Sequence, residues 1–173
     1  MIELEKTYLA RKLPEGLKSC KFKEIIDIYI PKASKHPKLR IRKNGNKFEA
    51  TKKEPVSNQD ASRLEEQTII LTEAEFDSFK ELDGKKVRKL RYYYDYNRKI
   101  AEIDVFQDSL RDLVLVDFEF ATIEEKDNFE IPDFCLADVT QEVFTAGGMI
   151  CGKNYENIKD SLERFNYKKL FLG

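Results

Sequence analysis

Charged and apolar residues alternate one for one along most of this chain, and a period of two belongs to β-strands. LRIRK (39–43), EIDVF (102–106) and LVDFEF (115–120) each send acids or bases to one face and Leu, Ile, Val or Phe to the other. The opening Ile2-Glu3-Leu4-Glu5 does the same. A sheet with one face this charged must either leave that face in water or fold it around something that needs charge.

The remaining segments extend the pattern. FKEIIDIYI (22–30) ends at Pro31, and 31–38 is a polar loop containing His36, expected to be exposed. Asn44-Gly45 between two alternating runs predicts a hairpin within 39–53. A polar connection over 54–62 leads to a strand over 63–71. There Thr72 and Glu75 form a capping box, with Leu71 and Phe76 as staple, so a helix begins. Its apolar face is Phe76, Phe79 and Leu82, and it stops near Gly84. Strands follow at 87–96, 99–106 and 113–121, then an acidic, irregular stretch over 124–137. A short helix over 138–148, capped by Thr140 and stopped by Gly147-Gly148, and an amphipathic helix over 154–165 complete the reading. Eight candidate strands joined mostly by short connections predict an antiparallel sheet closed on itself, mainly β within an α+β class, with helices packed outside.

Composition narrows the chemistry. The 173 residues suit one domain with a real core. A net charge of −1 gives no overall field to draw in nucleic acid or an anionic membrane, so neither is expected as a partner. No apolar run is long enough to span a bilayer, and the first residues lack a secretory h-region. Cys20, Cys135 and Cys151 are widely spaced, which points to a reducing cytoplasm rather than disulfides or zinc, and Cys20 and Cys151 are expected to be inert. With His36 the one histidine, any metal must be held by oxygen, favouring Mg²⁺, Mn²⁺ or Ca²⁺.

Strand by strand, the charges are sorted. Arg40 and Arg42, then Lys53 beside Thr51, then Lys89 and Arg91 share the polar faces of the middle strands. Glu3 and Glu5, then Glu102 and Asp104, then Asp117 and Glu119 occupy those of the first and late strands. Closing the sheet with this face inward makes a tunnel lined by both signs. Burying such charges is tolerable when they are paired, hydrated or bound to ions. Carboxylates suit hard cations, and Arg and Lys suit phosphate oxygens, so a metal–polyphosphate complex matches both walls.

In their order, these residues resemble the CYTH, or triphosphate tunnel metalloenzyme, superfamily. The match comprises Glu3-Leu4-Glu5-Lys6-Thr7, Arg40/Arg42, Thr51/Lys53, Lys89/Arg91/Tyr92, Glu102/Asp104/Phe106, Asp117/Glu119 and the Asp138-Val139-Thr140 turn, over about residues 1–160. The resemblance implies an eight-stranded tunnel binding a small-molecule triphosphate with Mg²⁺ or Mn²⁺, as monomer or homodimer. It implies metal ligation by Glu3, Glu5 and Glu119, with Glu66, Glu102, Asp104 and Asp117 alongside. It makes Arg40, Arg42, Lys53, Lys89 and Arg91 a phosphate cradle, with Glu5, Lys89 and Arg91 closest to catalysis. Tripolyphosphate hydrolysis is the expected activity. ATP cyclisation and binding without turnover are the alternatives. Two positions depart from the family pattern: Thr7 stands where a lysine is usual, and on the fifth strand either Glu65 or Glu66 can face inward, Glu66 by parity.

Overall fold

The computed structural model describes residues 2–57 and 60–172. Eight antiparallel strands form the barrel: β1 (Ile2–Ala10), β2 (Phe22–Ile30), β3 (Leu39–Asn44), β4 (Lys47–Ser57), β5 (Asp60–Leu71), β6 (Lys85–Tyr96), β7 (Lys99–Phe106) and β8 (Val114–Phe120). Their order is β5-β4-β3-β2-β6-β7-β8-β1, and pairing of β1 with β5 closes the ring. The fold is thus mainly β, with a few short helices.

Closure at β1 is shared. Ile2–Leu4 pair with Glu65–Arg63 of β5, while Leu4–Leu9 pair with β8 on the other edge. Where β5 leaves, a ninth short strand, β9 (Cys135–Asp138), takes over the edge at Tyr8–Ala10. The stretch expected to be irregular thus holds helix α2 (Ile123–Asp127) and then this strand. Its four residues are too few to carry a readable alternation, and the free edge of β1 organises them.

Three apolar clusters follow from the alternation. Outward side chains of β1, β7 and β8, among them Tyr8, Ile103, Val116 and Phe118, pack under Phe134 and Cys135, with Phe129 against them. Outward Ile28 and Ile41 pack under Phe76 of helix α1 (Glu73–Lys80). The capping box expected at Thr72 and Glu75 is formed. The third cluster plugs one end of the barrel. Leu9, Val87, Phe106 and Leu115 share the parity of the charged wall, and they meet Val139, Ile150, Ile158 and Leu162. No helix among the described residues is long and apolar enough to cross a membrane.

Other segments differ from what the sequence pattern predicts. The connection over 54–62 is mostly strand, since β4 runs to Ser57 and β5 starts at Asp60; Asn58 and Gln59 lie outside the described residues. Pro55 is admitted because β4 outruns β3 beyond Lys52, leaving one edge unpaired. The helix expected over 138–148 is a turn followed by α3 (Gly147–Ile150). Thr140 does not cap it: Asp138 accepts the Thr140 amide at 2.9 Å, and the Val139 amide donates to the Thr7 carbonyl at 2.8 Å. Gly147-Gly148 therefore begins a helix rather than ending one. A Cβ on Gly147 would lie 2.0 Å from the Tyr29 hydroxyl, and one on Gly148 would lie 2.2 Å from the Pro37 carbonyl. That close packing half-buries His36, which was expected in solvent. The C-terminal helix is interrupted as well. Asn154 and Asn157 cap each other around a tight turn before α4 (Lys159–Glu163).

Candidate functional site: a charged tunnel

Inside the barrel lies a cavity of about 550 Å³. Among the described residues its wall holds ten carboxylates (Glu3, Glu5, Asp27, Glu49, Glu66, Glu102, Asp104, Asp117, Glu119, Glu142) against six cations (Lys38, Arg40, Arg42, Lys53, Lys89, Arg91). The surplus is negative, so the wall has room for added positive charge. Every site residue expected from sequence lines this cavity. Glu66 faces in, while Glu65 sits opposite Ile2 and Glu54 on the outer face, exposed.

The strand register places like charges face to face. Glu5 is directly opposite Glu119, and Glu102 directly opposite Asp117. Such cross-strand pairs are destabilising unless a cation bridges them. Lys53 reaches across to Glu3, comes within 3.1 Å of Glu66 and lies 3.6 Å from Glu5. Arg91 binds Glu102, lies 3.2 Å from Asp117, and grips Asp104 through Nε at 2.7 Å and Nη2 at 2.6 Å. Glu119 has no salt bridge within 4 Å among the described residues.

Protonation follows from this placement. Burial raises the affinity of Glu5 for a proton, with Asp117 and Glu3 adding to it against the pull of Lys53. Burial likewise raises Glu102 and Glu119. Burial opposes the charge on Lys53, but Glu5 and Glu3 outweigh it and hold the ammonium firmly protonated. Asp104 is buried too, yet Arg91 and Lys89 bring it down to about 2. Lys89 contacts Asp104, but burial and the neighbouring Arg91 and Arg42 pull its own pKa down.

Sequence reasoning missed Asp27, which stands among isoleucines on β2, with the nearest charge of its own parity four residues away at Lys23. It is 2% exposed and takes Arg42 in a fork, Nε to Oδ1 at 2.6 Å and Nη2 to Oδ2 at 2.8 Å. Glu49, Tyr29 and Asn44 were missed as well, though parity with Thr51 and Lys53 on β4 and with Arg40 and Arg42 on β3 could have found Glu49 and Asn44. The Nε of Arg40 is buried and makes no hydrogen bond. Thr7 donates to Asp117 at 2.7 Å, and its own amide donates to the Thr140 hydroxyl at 3.0 Å.

As the side chains stand, no three carboxylates among the described residues converge to hold an ion. The donor set nonetheless fits one. Its carboxylates are hard oxygen donors, they outnumber the cations of the wall, and Glu5 stands face to face with Glu119.

No family model matches this chain, and no curated protein matches it. Solved structures do. The inorganic triphosphatase NE1496 superposes with a TM-score of 0.63 at 22% identity, over 87% of this chain and 95% of that one. A candidate adenylate cyclase, bh2851 from Bacillus halodurans, gives 0.53 at 16% identity over 99% and 93%. PH1012 from Pyrococcus horikoshii OT3 gives 0.50 at 19% identity over 96% and 92%. Identities this low speak to the fold, and the closed barrel with its inward charges agrees with them. The chain has the fold of the triphosphate tunnel proteins that its strand motifs resemble.

Proposed function

We propose that this chain hydrolyses a triphosphate inside the tunnel, inorganic tripolyphosphate first, with Mg²⁺ or Mn²⁺ as cofactor. The observation that carries this reading is the sorted wall. Carboxylates of β1, β7 and β8 stand opposite one another in register, and Arg and Lys of β3, β4 and β6 complete the ring. A cavity of about 550 Å³ suits a small anion with its counter-ions.

Glu3, Glu5 and Glu119 would hold the divalent ion, with Glu66, Glu102 and Asp117 beside them. When bound, such an ion neutralises phosphate charge and makes water more acidic. Arg40, Arg42 and Lys53 hold phosphate oxygens in line, since phosphoryl transfer depends mostly on positioning and charge. Lys89 and Arg91, fixed by Asp104, take up charge that develops as the bond breaks. Glu5, at the edge of that ion's site, would orient the attacking water.

The test is phosphate release from tripolyphosphate, ATP and thiamine triphosphate in Mg²⁺, Mn²⁺ and chelator. We expect metal-dependent release, fastest from tripolyphosphate, and a loss of roughly a hundredfold or more in Glu5→Gln. A second reading rests on Thr7, whose hydroxyl is taken up by Asp117 where a lysine would reach the phosphates. It has the tunnel bind the triphosphate without turnover. Metal-dependent binding with no phosphate released from any of the three would select it.

A further inference from the structure

A carboxylate placed inside a phosphate-binding tunnel needs a reason, because it opposes the anion. Asp27 is such a group. It is 2% exposed, on a strand whose adjacent residues are Ile26 and Ile28, and it is the direct cross-strand partner of Arg42. Burial would neutralise it, but the Arg42 guanidinium, with help from Arg40, keeps it ionised.

The contact is specific in its atoms. Nε and Nη2 of Arg42 are both given to Asp27, along one edge of the planar fork. Nη1 makes no hydrogen bond among the described residues, and Arg42 lines the cavity. A bidentate carboxylate fixes both the position and the plane of a guanidinium, which a single contact cannot do. Arg42 is 7% exposed, and among the described residues Asp27 is its one salt-bridge partner, so the orientation of its fork depends on that carboxylate.

We propose that Asp27 is a positioning residue: it clamps one edge of Arg42 so that the Nη1 edge meets a phosphate oxygen in a fixed orientation. This rests on the reading of the tunnel as a triphosphate site. Asp27 touches no substrate itself, and its effect on the anion passes through Arg42. The arrangement gives up part of the Arg42 charge in return for a defined geometry. Arg40, whose Nε has no partner, meets the same anion without such a clamp.

The experiment is a double-mutant cycle with Asp27→Asn and Arg42→Gln, each alone and together. It reads KM and kcat for tripolyphosphate, and the thermal shift that tripolyphosphate produces in chelator. If Asp27 acts through Arg42, Asp27→Asn weakens binding by roughly tenfold in the native background and by less than about twofold when Arg42 is already Gln. Arg42→Lys, which keeps the charge but loses the fork, should lose as much as Asp27→Asn. Equal losses in both backgrounds, or a lowered melting temperature with unchanged KM and ligand shift, would overturn the proposal and leave a purely structural ion pair. Should Asp27→Asn not fold, native KM in Arg42→Lys overturns it equally. A native chain that neither binds nor hydrolyses tripolyphosphate brings down the tunnel reading itself, which the other outcomes leave intact.

Discussion

At Glu5 the barrel forces a carboxylate against Glu119 across the strand pair and into a buried setting that raises its proton affinity. A group with a raised acid pKa destabilises the fold once it ionises, so stability falls as pH climbs through its range. Without metal, Glu5→Gln should therefore melt a few degrees higher than the native chain at neutral pH, even as activity is lost. A thermal melt in chelator checks this, and a lower melting temperature would contradict the described environment of Glu5. Asp104 has the opposite sign. Its pKa falls from 3.8 to about 2, so its contribution is full above pH 3.8 and fades as pH falls toward 2. Asp104→Asn should flatten the acid limb of the melting curve. It should also cost roughly 3–5 kcal/mol, because Lys89 and Arg91 lose their shared buried partner. Most of the wall was legible in the sequence, since a two-residue period leaves each side chain only two faces. Asp27 was not legible. Its meaning lies in Arg42 on the next strand, and pairing across strands is set by register rather than by neighbours in sequence.

Among the elements, the segment from Val139 to Cys151 departs most from expectation, and the reason is packing. Its glycines answer to Tyr29 and Pro37, contacts that no local pattern encodes. Gly147→Ala should push α3 away from the Tyr29 hydroxyl and destabilise by about 1–3 kcal/mol. Removing that hydroxyl in a Gly147→Ala, Tyr29→Phe double variant should return part of the loss, as measured by denaturant unfolding. Full additivity of the two changes would show that the contact is not the cause. Helix α1, by contrast, was readable at its start, where Thr72 and Glu75 announce it locally and Phe76 lies on its buried face; Leu82, expected on that face, lies beyond Lys80 and is exposed.

For the whole molecule, the surplus of acids on the tunnel wall predicts that a divalent cation stabilises the chain, most of all with a polyphosphate present. At a hundredfold excess over its Kd a ligand bound to the native state alone adds about 2.7 kcal/mol, which a melt with Mn²⁺ or Mg²⁺ would register. The shift should vanish in Glu5→Gln. A native chain indifferent to both ions, with and without tripolyphosphate, would remove the metal from the proposed function.

The shared edge of β1 has a consequence for how the chain is made. β1 is synthesised before the strands it pairs with: Thr7 bonds Asp117, 110 positions later, and Thr140, 133 positions later. Contacts that distant make folding slow, because a long loop must be ordered before they form. Until β8 and β9 emerge from the ribosome, the nascent sheet is an open ribbon with unpaired edges, a form prone to sticking to other chains. One of its faces, however, bristles with Arg, Lys, Glu and Asp. The side chains that line the finished tunnel thus give the unfinished sheet one hydrophilic face, which disfavours stacking on other chains.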